Sequence, residues 1–137
     1  MNRNRIVISG LTAGVFILGM NMLSLEYASA HVASLRADTN PLSFHIVRSL
    51  LLGLVSMLLY AIIAKARGHG TETALTTGLL VFMIGALFPP YALGSNGSVP
   101  DQALLIYIVW NAVGIPLATF AGARFYRERP EPVTAKA

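Results

Sequence analysis

Four long apolar stretches, separated by short polar connectors, organise the chain. The first runs from about Ile6 to Tyr27 and the second from about Phe44 to Ala64. The third covers about Thr73 to Leu93, and the fourth about Ala103 to Phe125. Each is near the ~20 residues that cross a hydrocarbon core as a helix. A backbone in lipid must satisfy its own polar groups, so the helix is the default there. The apolar–polar alternation of a barrel strand is missing. The pattern therefore predicts an all-α, four-helix transmembrane bundle over residues 1–125. Its helices fall at about 6–27, 44–64, 73–93 and 103–125, in up-down order.

The connectors agree with this division. "HVASLRADTNPLS" ends near an Asn-Pro turn signal, "KARGHGTE" carries two glycines, and "GSNGSVPDQ" is a Gly/Ser/Asn/Pro loop. The end, "RERPEPVTAKA", is charged and proline-rich, which predicts a disordered cytoplasmic tail over 126–137.

Composition points to the same solvent. Of the 137 residues, 55% are hydrophobic and only 12% charged, against roughly 25% charged in average usage. There is no cysteine, which rules out disulfides, thiolate metal sites and cysteine nucleophiles. The net charge of +4 does not mark a nucleic-acid binder, because most of the basic residues flank apolar runs. Arg3 and Arg5 precede the first helix, Lys65 and Arg67 separate the second from the third, and Arg124, Arg127, Arg129 and Lys136 close the chain. Arg36 and Arg48 alone fall on the other side. By the positive-inside rule both termini are cytoplasmic. The expected location is the inner membrane, as a multi-pass protein.

One stretch complicates the first helix. Ala28-Ser29-Ala30 has the A-x-A form of a signal-peptidase site. A signal peptide's apolar region is about 7–15 residues, and the run here is long enough to span. A retained helix is the expectation. Cleavage is the alternative, and it would leave His31 as a new N-terminus.

Polar side chains inside membrane segments are functional candidates by default. Glu26 and Arg48 lie near the outer ends of the first and second helices. Their depth and charge predict an ion pair across the first hairpin. His45 is three residues before Arg48 and so shares its face. This Glu26–His45–Arg48 cluster would hold a proton or an anion, or would simply pin the hairpin. Glu72 and Asp101 adjoin helix starts, where an acid suits the helix dipole. No catalytic residue emerges, no metal-ligand spacing is present, and no cofactor is implied. Haem held by two histidines would need a facing pair, yet His31 and His45 lie near the outer side and His69 lies in a connector. Pro89-Pro90 and Pro116 interrupt the third and fourth segments by removing backbone donors.

Small residues suggest how the helices meet. Gly10, Gly14 and Asn21 share a stripe on the first helix, and Asn111, Ala118 and Gly122 share one on the fourth, with Gly114 between. In an antiparallel pair, facing residues keep a constant index sum. The pairs Gly10–Gly122, Gly14–Ala118 and Asn21–Asn111 satisfy this. The expectation is direct packing of helices one and four through these residues, closed by an asparagine–asparagine hydrogen bond.

Three stretches carry a resemblance: "MNRNRIVISGLTAGVF", "LLGLVSMLLYAIIAKAR" and "IVWNAVGIPLATFAGARFYRE". In these the chain resembles an uncharacterised family of small bacterial four-helix integral membrane proteins. The spacing from Gly14 to Asn21 and Glu26, and the loop after Tyr27, depart from that pattern. The resemblance implies a bacterial integral membrane protein and no particular activity. The function expected is a non-enzymatic accessory or assembly subunit. Alternatives are a small solute or ion transporter, or a haem- or quinone-associated redox subunit. The lipid bilayer is the expected partner, with a homo-oligomer or a larger membrane complex as further possibilities.

Overall fold

The computed structural model describes residues 3–31, 41–88 and 101–126. The expected tail, the Pro89-Pro90 break and the last residues of the third expected helix lie outside the described residues. Among the described residues the chain is all-helical, with four helices and no strand. Helix α1 is Arg3–His31, α2 is Leu42–Arg67 and α4 is Asp101–Phe125. Helix α3 is Thr71–Phe82, continued by a π-helical turn, Met83–Leu87. Helices α1, α2 and α4 are long and apolar enough to cross a membrane. The Thr71–Leu87 helix is shorter.

Local chemistry explains the boundaries. α2 stops at Gly68, whose φ of 87° is open to glycine without strain and whose N–H returns to the Ala64 carbonyl at 2.9 Å. The Thr73 hydroxyl donates to the Gly68 carbonyl at 3.0 Å and ties the turn to the next helix. Glu72 and Asp101 sit within the first turns of α3 and α4, where their charge complements the unpaired N–H groups. In the π turn the Phe88 N–H reaches back to the Met83 carbonyl, five residues earlier. Pro89 and Pro90 follow in the sequence and have no N–H to give to Gly85 and Ala86. A shifted ladder at this point fits that loss. α4 continues through Pro116.

The helices pack in a ring. α1 sits between α2 and α4, α4 also packs on α3, and a smaller α2–α3 interface closes the circuit. Residues meet in opposite chain order along α1 and α2, with Gly10 at Leu54 and Gly14 at Leu50. The same holds for α1 and α4, where Gly122 meets Ser9 and Ala13 while Gly114 meets Met20.

Small and hydroxylated residues fill much of the interior, beside Ile17, Met57, Ile115 and Tyr126. Ala13, Ala74, Ala86, Ala118, Ser9, Ser49, Ser56, Thr77 and Thr119 are all fully buried. Large apolar residues such as Val15, Leu51, Ile84, Leu105 and Val113 point outward, each more than half exposed. Water would not tolerate so continuous an apolar exterior. Lipid does, and small residues at the contacts let helices approach where there is no hydrophobic drive between them.

Candidate functional site

Two regions concentrate polar chemistry, one near each end of the bundle. The first contains the cluster expected from the sequence. Its partners differ from the expectation. The Arg48 guanidinium donates to the Tyr107 hydroxyl of α4, and its carbon lies 5.4 Å from that ring's centroid. Among the described residues no ion pair joins Glu26 to Arg48. Glu26 is exposed, and its backbone carbonyl accepts from the Ser29 hydroxyl at 2.9 Å. The physical reason is orientation. Matching depth brought the two charges level, but the Glu26 side chain is exposed while the half-buried Arg48 turns to Tyr107 of α4. His45 is half-buried, with its ring edge-on to Phe44 at 5.7 Å.

The asparagines are also not paired with each other. The Asn21 amide donates to the Ser49 hydroxyl of α2 at 3.2 Å, and the Asn111 amide donates to the Tyr107 carbonyl of its own helix at 2.9 Å. Ser49 and Arg48 are neighbours, so this layer links α2 to both α1 and α4. Tyr27 and Trp110 meet nearby with centroids 6.4 Å apart.

The small-residue stripe needs a matching correction. Helices α1 and α4 do pack antiparallel, but Gly10 and Gly14 face α2. A β-carbon on Gly14 would fall 2.8 Å from the Leu50 α-carbon, and one on Gly53 would strike the backbones of Gly10 and Gly14. α1 shows α4 a different stripe. A β-carbon on Gly122 would lie 2.8 Å from the Ser9 carbonyl oxygen and 3.2 Å from the Ala13 β-carbon. One on Gly114 would lie 3.3 Å from the Met20 β-carbon. Ala118 is fully buried in α4. Gly78 of α3 rests on the Pro116 backbone, with no room for a side chain.

Three buried hydroxyls are turned onto their own helices. Ser56 donates to the Leu52 carbonyl at 2.7 Å, Thr77 to Thr73 at 2.7 Å and Thr119 to Ile115 at 2.9 Å. The Ser9 hydroxyl is buried and has no hydrogen-bond partner among the described residues.

The second region lies at the opposite end, where α2 and α4 finish and α3 begins. A half-open pocket of about 350 Å³ is walled by Tyr60, residues 69–71, Ala74, Phe120, Ala123, Arg124 and Tyr126. Three rings pack beside one another here. Tyr60 is edge-on to Tyr126 at 5.9 Å, and His69 lies 6.0 Å and 5.8 Å from the two. The Arg124 guanidinium sits 4.8 Å over the Phe120 ring. The sequence reading missed this pocket. Its walls come from α2, the start of α3 and the end of α4, and its tyrosines carry no motif.

Comparison with protein-family models, with curated proteins and with solved structures finds no match. The fold therefore defines only a class: a helical bundle with three helices able to cross a membrane by length and composition.

Proposed function

We propose that the chain is a multi-pass inner-membrane protein of bacterial type that serves as a non-enzymatic accessory or assembly subunit. All four helices span in up-down order, and both termini face the cytoplasm. The observation that carries the membrane reading is the apolar exterior, with large side chains such as Val15, Leu51, Ile84 and Leu105 outside and small residues where the helices approach. The orientation rests on lysine and arginine, which gather at the ends holding Arg3, Arg5, Lys65, Arg67 and Arg124. Retention of the first helix is supported by its place in the ring, since cleavage would strip both α2 and α4 of a partner.

The accessory role is favoured over transport by the packing. A pathway needs polar groups presented to a passage. Here Ser56, Thr77 and Thr119 bond their own backbones, while Gly53 and Gly78 bring helix backbones into contact. The test is affinity purification of the tagged full chain in mild detergent. A stoichiometric partner protein is the expected result. Ion or solute flux through proteoliposomes containing only this chain would overturn the accessory role.

A further inference from the structure

We propose that the pocket at the basic end binds a phosphate group, carried by an anionic phospholipid headgroup or free in solution. Three independent features converge there. The first is the start of α3. Its N-cap is Gly70, which has no side chain to cap with, and the first helical N–H to find a backbone carbonyl there is that of Ala74, bonded to Gly70 at 3.1 Å. The earlier N–H groups of the turn have no helical carbonyl to bond, and an anion would share them with the charge of Glu72. The second is Arg124, held over Phe120 at the pocket wall. Among the described residues no Asp or Glu lines the pocket.

The third feature is Tyr60. It is 3% exposed and lines the pocket. A phenol buried so deeply ordinarily finds a hydrogen-bond partner. Among the described residues the Tyr60 hydroxyl has none, so its proton is left for an occupant. Thr71, a residue with a hydroxyl donor, also lines the wall. The site thus offers donors and positive charge, with the Glu72 carboxylate of the same turn outside its lining, which suits a phosphate and not a cation. It also lies at the end of the bundle where the basic residues gather. Basic pockets between membrane helices at that level meet lipid phosphates. The headgroup arm of the proposal rests on the membrane reading; the free-phosphate arm does not.

The experiment uses the full chain in mild detergent and phosphate-free buffer. Native mass spectrometry is run with equal amounts of phosphatidylglycerol and phosphatidylcholine, and thermal unfolding is followed as inorganic phosphate is added. For a headgroup, a single phosphatidylglycerol adduct is expected, preferred by about fivefold, as one basic contact implies. That adduct should survive millimolar phosphate. For free phosphate, the unfolding midpoint should rise with phosphate and no lipid preference should appear. In either case R124Q and Y60F should each weaken the effect, R124K should keep part of it, and R67Q, outside the pocket, should keep all of it. Unchanged circular dichroism and elution behaviour establish that the variants fold. The proposal is overturned if neither ligand binds, if the Y60F/R124Q double variant binds as well as the parent, or if R67Q loses as much as R124Q. Carbonate extraction of cell membranes tests the membrane reading separately. Release of the chain would remove the headgroup arm and leave the phosphate arm standing.

Discussion

Gly53 of α2 lies against the backbones of Gly10 and Gly14 of α1, so closely that no β-carbon fits between them. Backbone cannot swing aside as a side chain can. Gly53→Ala must therefore push the two helices apart and lose contacts along the whole interface. The expected cost is about 1–3 kcal/mol, the usual range for overpacking. Gly19, on the same helix α1, has nothing within 4 Å of its would-be side chain. Gly19→Ala should be neutral or stabilising by up to ~1 kcal/mol, from helix propensity alone. Unfolding in mixed micelles, followed by circular dichroism, separates the two. Equal effects would contradict the close approach.

The order of the helices can be read by cross-linking, helped by the absence of native cysteine. A β-carbon on Gly114 would stand 3.3 Å from that of Met20, near the ~3.8 Å mean of disulfides. The pair Met20→Cys with Gly114→Cys should oxidise readily. The pair Gly14→Cys with Ala118→Cys should not, because Gly14 faces α2. Mobility on non-reducing gels gives the answer, and preferential cross-linking of the second pair would restore the original glycine–alanine register.

Arg48 offers a third test. Its partner is the Tyr107 hydroxyl, so Tyr107→Phe should destabilise the bundle. Interhelical hydrogen bonds in one membrane protein average ~0.6 kcal/mol with a maximum near ~1.7 kcal/mol, and a charged donor belongs toward the upper end. Glu26→Gln should change little, since Glu26 is exposed. The same unfolding assay applies. A larger loss for Glu26→Gln than for Tyr107→Phe would return Glu26 to the cluster.

The orientation makes a fourth prediction. Reporter fusions at either terminus should score as cytoplasmic, following the lysine and arginine distribution. Intact mass should show an unprocessed first helix. A mass lacking residues 1–30 would instead mean that α1 is removed and that α2 and α4 lose their shared neighbour.

The helices themselves were legible without any structure. Long apolar runs bounded by polar connectors leave few alternatives when the solvent is lipid, because only a helix satisfies every backbone group within one segment. Expected starts at about 6, 44, 73 and 103 compare with Arg3, Leu42, Thr71 and Asp101. What periodicity does not reveal is the neighbour that each face meets. α1 carries two adjacent small-residue stripes, Ser9 with Ala13 and Gly10 with Gly14, about 100° apart. Both suit close packing, and α1 lies between two helices. Only the assembled bundle assigns the glycine pair to α2 and the other stripe to α4.

Long-range side-chain partners were hidden for the same reason. Glu26 and Arg48 looked paired because depth and charge can be read along a chain, whereas the direction of a side chain around the bundle cannot. Tyr107 lies 59 positions from Arg48, and nothing local announces it. The pocket is the extreme case. Tyr60, Thr71 and Arg124 belong to three helices, and each is ordinary in its own segment. The sequence by itself determined that the chain forms apolar helices and where they begin, since those properties are local. Tertiary structure alone decided which small stripe meets which helix, and that a buried tyrosine hydroxyl, a helix start and an arginine share one cavity, because that depends on the rotation of each helix about its own axis.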